Sequence, residues 1–257
     1  MSSLILIPLF VYLGLGIIAY FLADKLIFQP QPPFYSENDS TLTLTAPSGE
    51  KISAKFFRHE SAEFTILFSH GNAEDIFCST RFFEKLRDAG FNVLAYDYRG
   101  YGTSDGRPSE QNSYEDAETA YNYLINELHI APAKIIIHGR SLGAAVAIDL
   151  ASRKPCAGLI AESAFVSAFR VLTRYRIFPF DKFSNLGKLK QVRCPVLFIH
   201  GRRDEIIPFR HGEMLFAAAN EPKFSFWLSE ARHNDVASVG GQAYLQAIRD
   251  FAGNLPK

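Results

Sequence analysis

Ser141 sits in Gly139-Arg140-Ser141-Leu142-Gly143, between three consecutive isoleucines, Ile135 to Ile137, and an alanine-rich run that starts at Leu142. The isoleucines are the continuous apolar stretch of a fully buried strand, and the alanine-rich run is a strong helix former. A serine at the turn between them stands exposed, and the flanking glycines leave room for a tight turn and a close strand–helix approach. The Leu142 N–H then lies at a helix N-terminus, where the positive end of the dipole can stabilise a negative oxygen. These are parts for a nucleophilic attack on a carbonyl. The same five residues also occur as a plain glycine-bracketed turn with an idle serine, so the chemistry depends on partners elsewhere in the chain.

A serine hydroxyl is a weak nucleophile until a base takes its proton, and the base needs a carboxylate to hold its ring and stabilise the imidazolium. Pro195 to His200 reads as a strand running into Gly201-Arg202-Arg203-Asp204-Glu205, which puts Asp204 in a strand-end loop. Phe224 to Leu228 runs into Ser229-Glu230-Ala231-Arg232-His233-Asn234 and puts His233 in a similar loop. The order Ser141, Asp204, His233 is one in which such triads occur. Glu162 also follows a predicted strand on the same edge and stays open as a rival acid. Glu205 points another way, and Asp235 is too close in sequence to His233. Among the seven histidines, His70 and His200 each precede a glycine at a strand end and read as turn residues. His211 opens a helix, and His59, His129 and His138 have no suitable setting.

Ser69-His70-Gly71-Asn72-Ala73 follows the Phe64 strand, where a second oxyanion donor belongs; the Asn72 N–H is expected to join that of Leu142. The alternative there is a plain glycine turn. The glycines of Tyr96 to Gly106, with Asp97 and Arg99, shape a rim. Ala164 to Lys190 is too long for a simple connection and holds Phe165, Phe169, Tyr175, Phe178, Phe180 and Phe183 with Arg170, Arg174 and Arg176. It is either a helix packing its aromatics on the sheet or a small cap. A cap would line an apolar acyl pocket with Phe165, Phe178 and Phe180 and turn its arginines to anionic headgroups.

Positioning these groups requires a scaffold. Leu42 and Leu44 alternate among threonines, a Pro47-to-Glu50 turn follows, and Lys51 to His59 completes an antiparallel hairpin. Strands are predicted at 64–69, 92–96, 134–138, 158–161, 195–200 and 224–228, and helices at 80–89, 114–127, 142–152, 210–219 and 242–252. The alternation predicts a mostly parallel, doubly wound α/β sheet with its ligands at the carboxyl ends of the strands. The 257 residues, 47% hydrophobic, suffice for one such domain. Lys plus Arg equals Asp plus Glu at 27 each, which argues against a nucleic-acid partner. Cys78, Cys156 and Cys194 are odd in number and widely spaced, as suits free thiols in a reducing compartment.

Leu4 to Ala23 carries no charged side chain, and its 20 residues make a helix of about 30 Å, the thickness of a hydrocarbon core. A membrane-spanning anchor fits better than a cleaved signal, because no Lys or Arg precedes the run and no A-x-A site follows it. It also fits better than a core helix, being terminal and apolar on every side. Lys25 follows the segment, which places the globular part in the cytoplasm. Gln29 to Pro33 cannot continue a helix and is expected to be an extended spacer.

The motifs HGN (70–72), DYRGYGTSDGRPSE (97–110), GRSLG (139–143), HGRRDEIIP (200–208) and ARHND (231–235) together resemble the α/β-hydrolase superfamily. More narrowly, the chain is similar to its membrane-associated branch of alpha/beta-hydrolase-domain 17 type depalmitoylases and single-pass bacterial relatives. The resemblance runs from about residue 40 to about residue 252. It implies an eight-stranded hydrolase core, with nucleophile, acid and base on Ser141, Asp204 and His233, and cleavage of esters or thioesters without a metal or organic cofactor. The expected layout is an anchor over 1–28, a spacer over 29–39 and a catalytic domain over 40–257 with a small cap at 164–190. The expected partners are an acylated or small-molecule substrate and a membrane. A peptidase and a non-catalytic binding module remain the competing classes.

Overall fold

The structure is a computed structural model that describes residues 2–36, 41–173 and 175–256; Arg174 lies outside the described residues. Helix α1 (Ser2–Ile27) comes first. The hairpin β1 (Leu42–Thr45) and β2 (Lys51–Phe57) opens the domain, followed by β3 (Thr65–Ser69), α2 (Thr80–Asp88), β4 (Asn92–Tyr96) and α3 (Glu110–Asn126). Then come β5 (Ile135–Arg140), α4 (Leu142–Arg153), β6 (Gly158–Glu162), α5 (Ala168–Leu172) and α6 (Asn185–Leu189). The chain finishes with β7 (Val196–Gly201), α7 (Arg210–Ala218), β8 (Lys223–Leu228) and α8 (Val236–Gly253).

One eight-stranded sheet has the order β1-β2-β4-β3-β5-β6-β7-β8. β2 pairs antiparallel with β1 and β4, and every other neighbouring pair is parallel. Side chains alternate across a strand, so its two faces feed two cores. Leu67, Ile135 and Ile137 join α3 and α4 on one face. Ile66, Phe68 and Ile136 join α2 and α8 on the other. Burial on both faces is why the parallel strands read as unbroken apolar runs. From β3 the chain steps outward to β4, and then returns to β5 on β3's other side. The loops leaving β3 and β5 therefore diverge at the carboxyl edge, and the crevice of a doubly wound sheet opens between them.

Two helices begin earlier than the predicted spans. α3 starts at Glu110 because Ser109 caps it, its Oγ accepting the Asn112 N–H at 3.1 Å. α8 starts at Val236 and passes through a kink at Gly241 (φ 49°), a glycine that the apolar periodicity treats as a boundary.

α1 extends past Ala23 to Ile27, and its stretch Ile7–Ile27, of mean hydropathy 1.9, is long and apolar enough to cross a membrane. The residues after it are not a free spacer. Phe28 is buried against Tyr101 and Phe183. The Gln29 N–H donates to Asn72 Oδ1 at 3.0 Å, and the Phe34 N–H to Asp75 Oδ2 at 2.8 Å. Tyr35 stacks on Phe77 and donates to Asp97 Oδ2 at 2.5 Å. Prolines forbid a helix here, as the sequence predicts, but the apolar residues beside them hold the segment down on the domain.

Candidate active site

β5 delivers Ser141 to the carboxyl edge, where the chain must reverse into α4 within one residue. Ser141 takes φ 55° and ψ −114°, a strained conformation for a residue with a Cβ. The turn closes only because two neighbours lack one. A Cβ at Gly139 would lie 2.0 Å from the Gly143 carbonyl oxygen, and a Cβ at Gly143 would lie 2.0 Å from that of Ser69. The Ser141 N–H is held by the Glu162 carbonyl at 2.9 Å, which fixes the elbow to β6.

The acid and base loops meet because the pairing of β7 and β8 continues past the strand ends. The Arg202 N–H donates to the Leu228 carbonyl at 2.8 Å, and the Arg203 N–H to that of Ala231 at 3.0 Å. His233 Nδ1 then lies 2.7 Å from Asp204 Oδ2, and its Nε2 lies 2.9 Å from Ser141 Oγ. With Nδ1–H donating to the carboxylate, Nε2 is free to accept the serine proton. Asp204 Oδ1 accepts the N–H groups of Ile206 (3.0 Å) and Ile207 (2.6 Å). Burial works against the charge on Asp204, but hydrogen bonds from His200 and His233, the attraction of His233 and the Ile207 N–H hold the carboxyl well below its ordinary range.

The rival acid is elsewhere. Glu162 is fully buried and bonds His138 Nε2 at 3.1 Å and the Tyr244 hydroxyl at 2.6 Å. Burial raises its carboxyl, and His138, Arg140 and Tyr244 outweigh that and lower it. Glu205 is exposed, and Asp235 accepts the Arg232 N–H at 2.6 Å, shaping the base loop from within.

In the loop after β3, the Gly71 N–H is taken by Glu74 Oε1 at 2.6 Å and the Ala73 N–H by Asn72 Oδ1 at 3.0 Å. The Asn72 N–H between them meets no acceptor among the described residues, and neither does the Leu142 N–H. The Asn72 side chain is spent on α1: its Nδ2 donates to the Ile27 carbonyl at 2.6 Å, and its Oδ1 accepts from Gln29 and Tyr101. His70 is buried behind this loop, with Nδ1 2.7 Å from the Gly71 carbonyl.

Three supporting contacts escape the sequence reading. His200, a turn residue by its position, places Nε2 3.3 Å from Asp204 Oδ2. Glu74 joins Arg140, the residue just before Ser141, and so ties the loop after β3 to the elbow. The root of α1 grips Asn72. The first had a signal in His200-Gly201 beside Asp204; the other two cross from one loop to another and had none.

The aromatics of 164–190 do not form one pocket. Phe165 is buried beside Phe183, while Phe178 and Phe180 stack on each other at 5.4 Å and face Tyr12 and Tyr20 of α1. A shallow apolar groove of about 270 Å³ runs between those two phenylalanines and α1. The expectation of a shared acyl pocket fails because α1 supplies a competing apolar surface that nothing within 164–190 announces. No group of His, Cys, Asp and Glu among the described residues is arranged to hold a metal.

Over residues 60–179 the chain matches the model of the serine aminopeptidase S33 family. It is 39% identical to human alpha/beta hydrolase domain-containing protein 17B, across 90% of both chains. The chain belongs to the alpha/beta hydrolase domain-containing protein 17 family. A Xenopus tropicalis relative, protein 17C, is 38% identical over 74% of this chain and 62% of its own length. Among solved structures, an esterase of Pyrococcus furiosus superposes with a TM-score of 0.74 over 89% of this chain and 98% of its own, at 20% identity. A Vibrio vulnificus alpha-beta hydrolase gives 0.67 over 81% and 80%, at 25% identity. The fold is thus the α/β-hydrolase fold that the motifs imply, and the chain is an enzyme, a serine hydrolase.

Proposed function

We propose that this enzyme, held at a membrane by α1, cleaves carboxylic esters or thioesters through an acyl-enzyme on Ser141. The observation that carries the reading is the unbroken line Asp204–His233–Ser141, two hydrogen bonds of 2.7 and 2.9 Å ending on a serine forced outward by its own backbone. His233 Nε2 takes the Oγ proton as Oγ attacks the substrate carbonyl, and Asp204 stabilises the imidazolium. The oxyanion is received by the Leu142 and Asn72 N–H groups, which have no acceptor among the described residues. His233 then protonates the departing alkoxide or thiolate, and a water activated by the same nitrogen releases the acid. The acyl chain lies along the groove of Phe178 and Phe180. Lys25, at the domain end of α1, favours a cytoplasmic catalytic domain.

The test is kcat/KM for p-nitrophenyl esters from acetyl to palmitoyl, below micelle formation, beside matched thioesters and peptide amides. Turnover rising with acyl length for both ester types supports the reading. Each methylene entering the groove contributes up to about 0.8 kcal/mol. A flat profile removes the groove from the account, and amides turned over faster than esters would make the enzyme a peptidase.

A further inference from the structure

The segment that follows α5 climbs α1 like a second rail. Lys182 pairs with Asp24 at 3.1 Å, Phe180 meets Tyr20 edge-on at 5.4 Å, and Phe178 covers Gly16, where a Cβ would lie 3.5 Å from its ring. Highest of all, the Tyr12 hydroxyl donates to the Ile177 carbonyl at 3.0 Å, and the Tyr12 ring lies 5.5 Å from that of Phe178. From Asp24 to Tyr12 is twelve residues, about 18 Å along a helix axis. The polar boundary lies at the Asp24–Lys182 pair; beyond it the side chains that the rails turn to each other are aromatic or apolar, and Arg176 is the one charged group among the described residues of 172–180. Leu172 is 91% exposed, Tyr175 71% and Ile177 52%, and they continue the exposed apolar surface of α1, on which Phe10, Ile17 and Phe21 are at least 60% exposed.

The arithmetic of depth says what covers this surface. Tyr12 lies near the middle of the uncharged run Leu4 to Ala23, so a bilayer that covers this run of about 30 Å covers Tyr12 as well. One leaflet of hydrocarbon is about 15 Å thick. The run cannot be covered while the second rail, bonded to it at Tyr12, stays outside. We infer that the cap tip, Leu172, Tyr175 and Ile177 to Phe180, enters the membrane beside α1 as far as about its midplane, so that the membrane-inserted unit is the helix and the cap tip together. The inference rests on α1 being the membrane anchor. Arg176 does not stand bare in this place, because its guanidinium donates to the carbonyls of Phe178 (3.1 Å) and Pro179. The groove between the rails then opens directly onto lipid tails.

Trp227 is the chain's single tryptophan, so depth can be read by fluorescence. Full-length Trp227→Phe protein carrying Ile177→Trp, Leu172→Trp or, on exposed α8, Val239→Trp is reconstituted into phosphatidylcholine vesicles and floated. Emission is then compared in vesicles with and without bromine on the acyl chains. If Trp227→Phe harms folding, the same substitutions in the wild-type chain are read as differences from the parent. The expected result is flotation of all variants, emission from positions 177 and 172 falling by about half in brominated vesicles, and little change at 239. Flotation with position 177 quenched no more than 239 overturns the inserted cap and leaves the anchor standing. Failure to float overturns the anchor, and the inserted cap with it.

Discussion

Two regions at the same end of the sheet are specified in opposite ways. The loops carrying Ser141, Asp204 and His233 each follow a strand whose place is set by its own apolar run, and backbone pairing beyond β7 and β8 brings acid and base together. The strip carrying Phe178 and Phe180 has no strand to fix it and takes its position from α1, some 160 residues away in the chain; Tyr12 and Ile177 are 165 apart. The first region holds chemistry to a fraction of an ångström. The second holds a surface, and surfaces tolerate error. Substitutions in the triad should therefore act on rate with little change in stability, and substitutions at the root of α1 should act mainly on stability.

The largest effect belongs to the nucleophile. Ser141→Ala should lower ester kcat by about 10⁶-fold while the thermal unfolding midpoint stays within a few degrees of wild type, since the change removes one half-buried hydroxyl whose partner is His233. Activity near wild type in that variant would remove Ser141 from the chemistry. The acid comes next. Asp204→Asn keeps the shape but leaves His233 with the wrong proton, and should cost about 10⁴-fold in kcat. Glu162→Gln, bonded to His138 and Tyr244 instead, should cost far less, and the opposite ranking would transfer the role.

At the root of α1 the expected loss is in stability. Phe28→Ala empties a site 4% exposed between Tyr101 and Phe183 and should destabilise the domain by about 3 kcal/mol in denaturant titration. No change would mean that the segment is the loose spacer its prolines suggest. The last effect concerns Asp97, which holds Tyr35 of the same segment. Burial, with the charges of Asp75 and Glu74, pushes its carboxyl up to about 8 against the hydrogen bonds of Tyr35 and Ile76. The folded chain therefore keeps a proton that the unfolded chain gives up near 3.8, and this stabilisation is lost as pH rises towards about 8. Asp97→Asn should match wild type in mild acid and gain on it steadily as pH rises towards about 8, as read from unfolding midpoints across pH. Parallel profiles would refute the buried, protonated carboxyl.

The same contrast explains what could be read in advance. β4 falls on Asn92–Tyr96 as its apolar run predicts, and the other parallel strands fall within two residues of theirs, because burial on both faces leaves a local signature. Sequence alone left Asp204 and Glu162 both open, since each follows a strand on the carboxyl edge. The choice between them turns on where β8's loop folds back, a long-range fact. The early starts of α3 and α8 depend on a cap and a glycine kink that interrupt hydrophobic periodicity. The division of Phe165 from Phe178 and Phe180 was hidden for the reason already met at α1: an apolar residue records that it will be covered and is silent about what covers it.

The central claim is that His233 and Ser141 work as a base and nucleophile that carry an acyl group. Rapid mixing of full-length enzyme with a p-nitrophenyl ester, acid quenching and mass spectrometry of the digest tests it most directly. The account predicts a burst of nitrophenolate matching the enzyme concentration and an acyl adduct on the peptide containing Ser141, with both lost in His233→Ala. An adduct on another residue, or a burst that survives removal of His233, would contradict it.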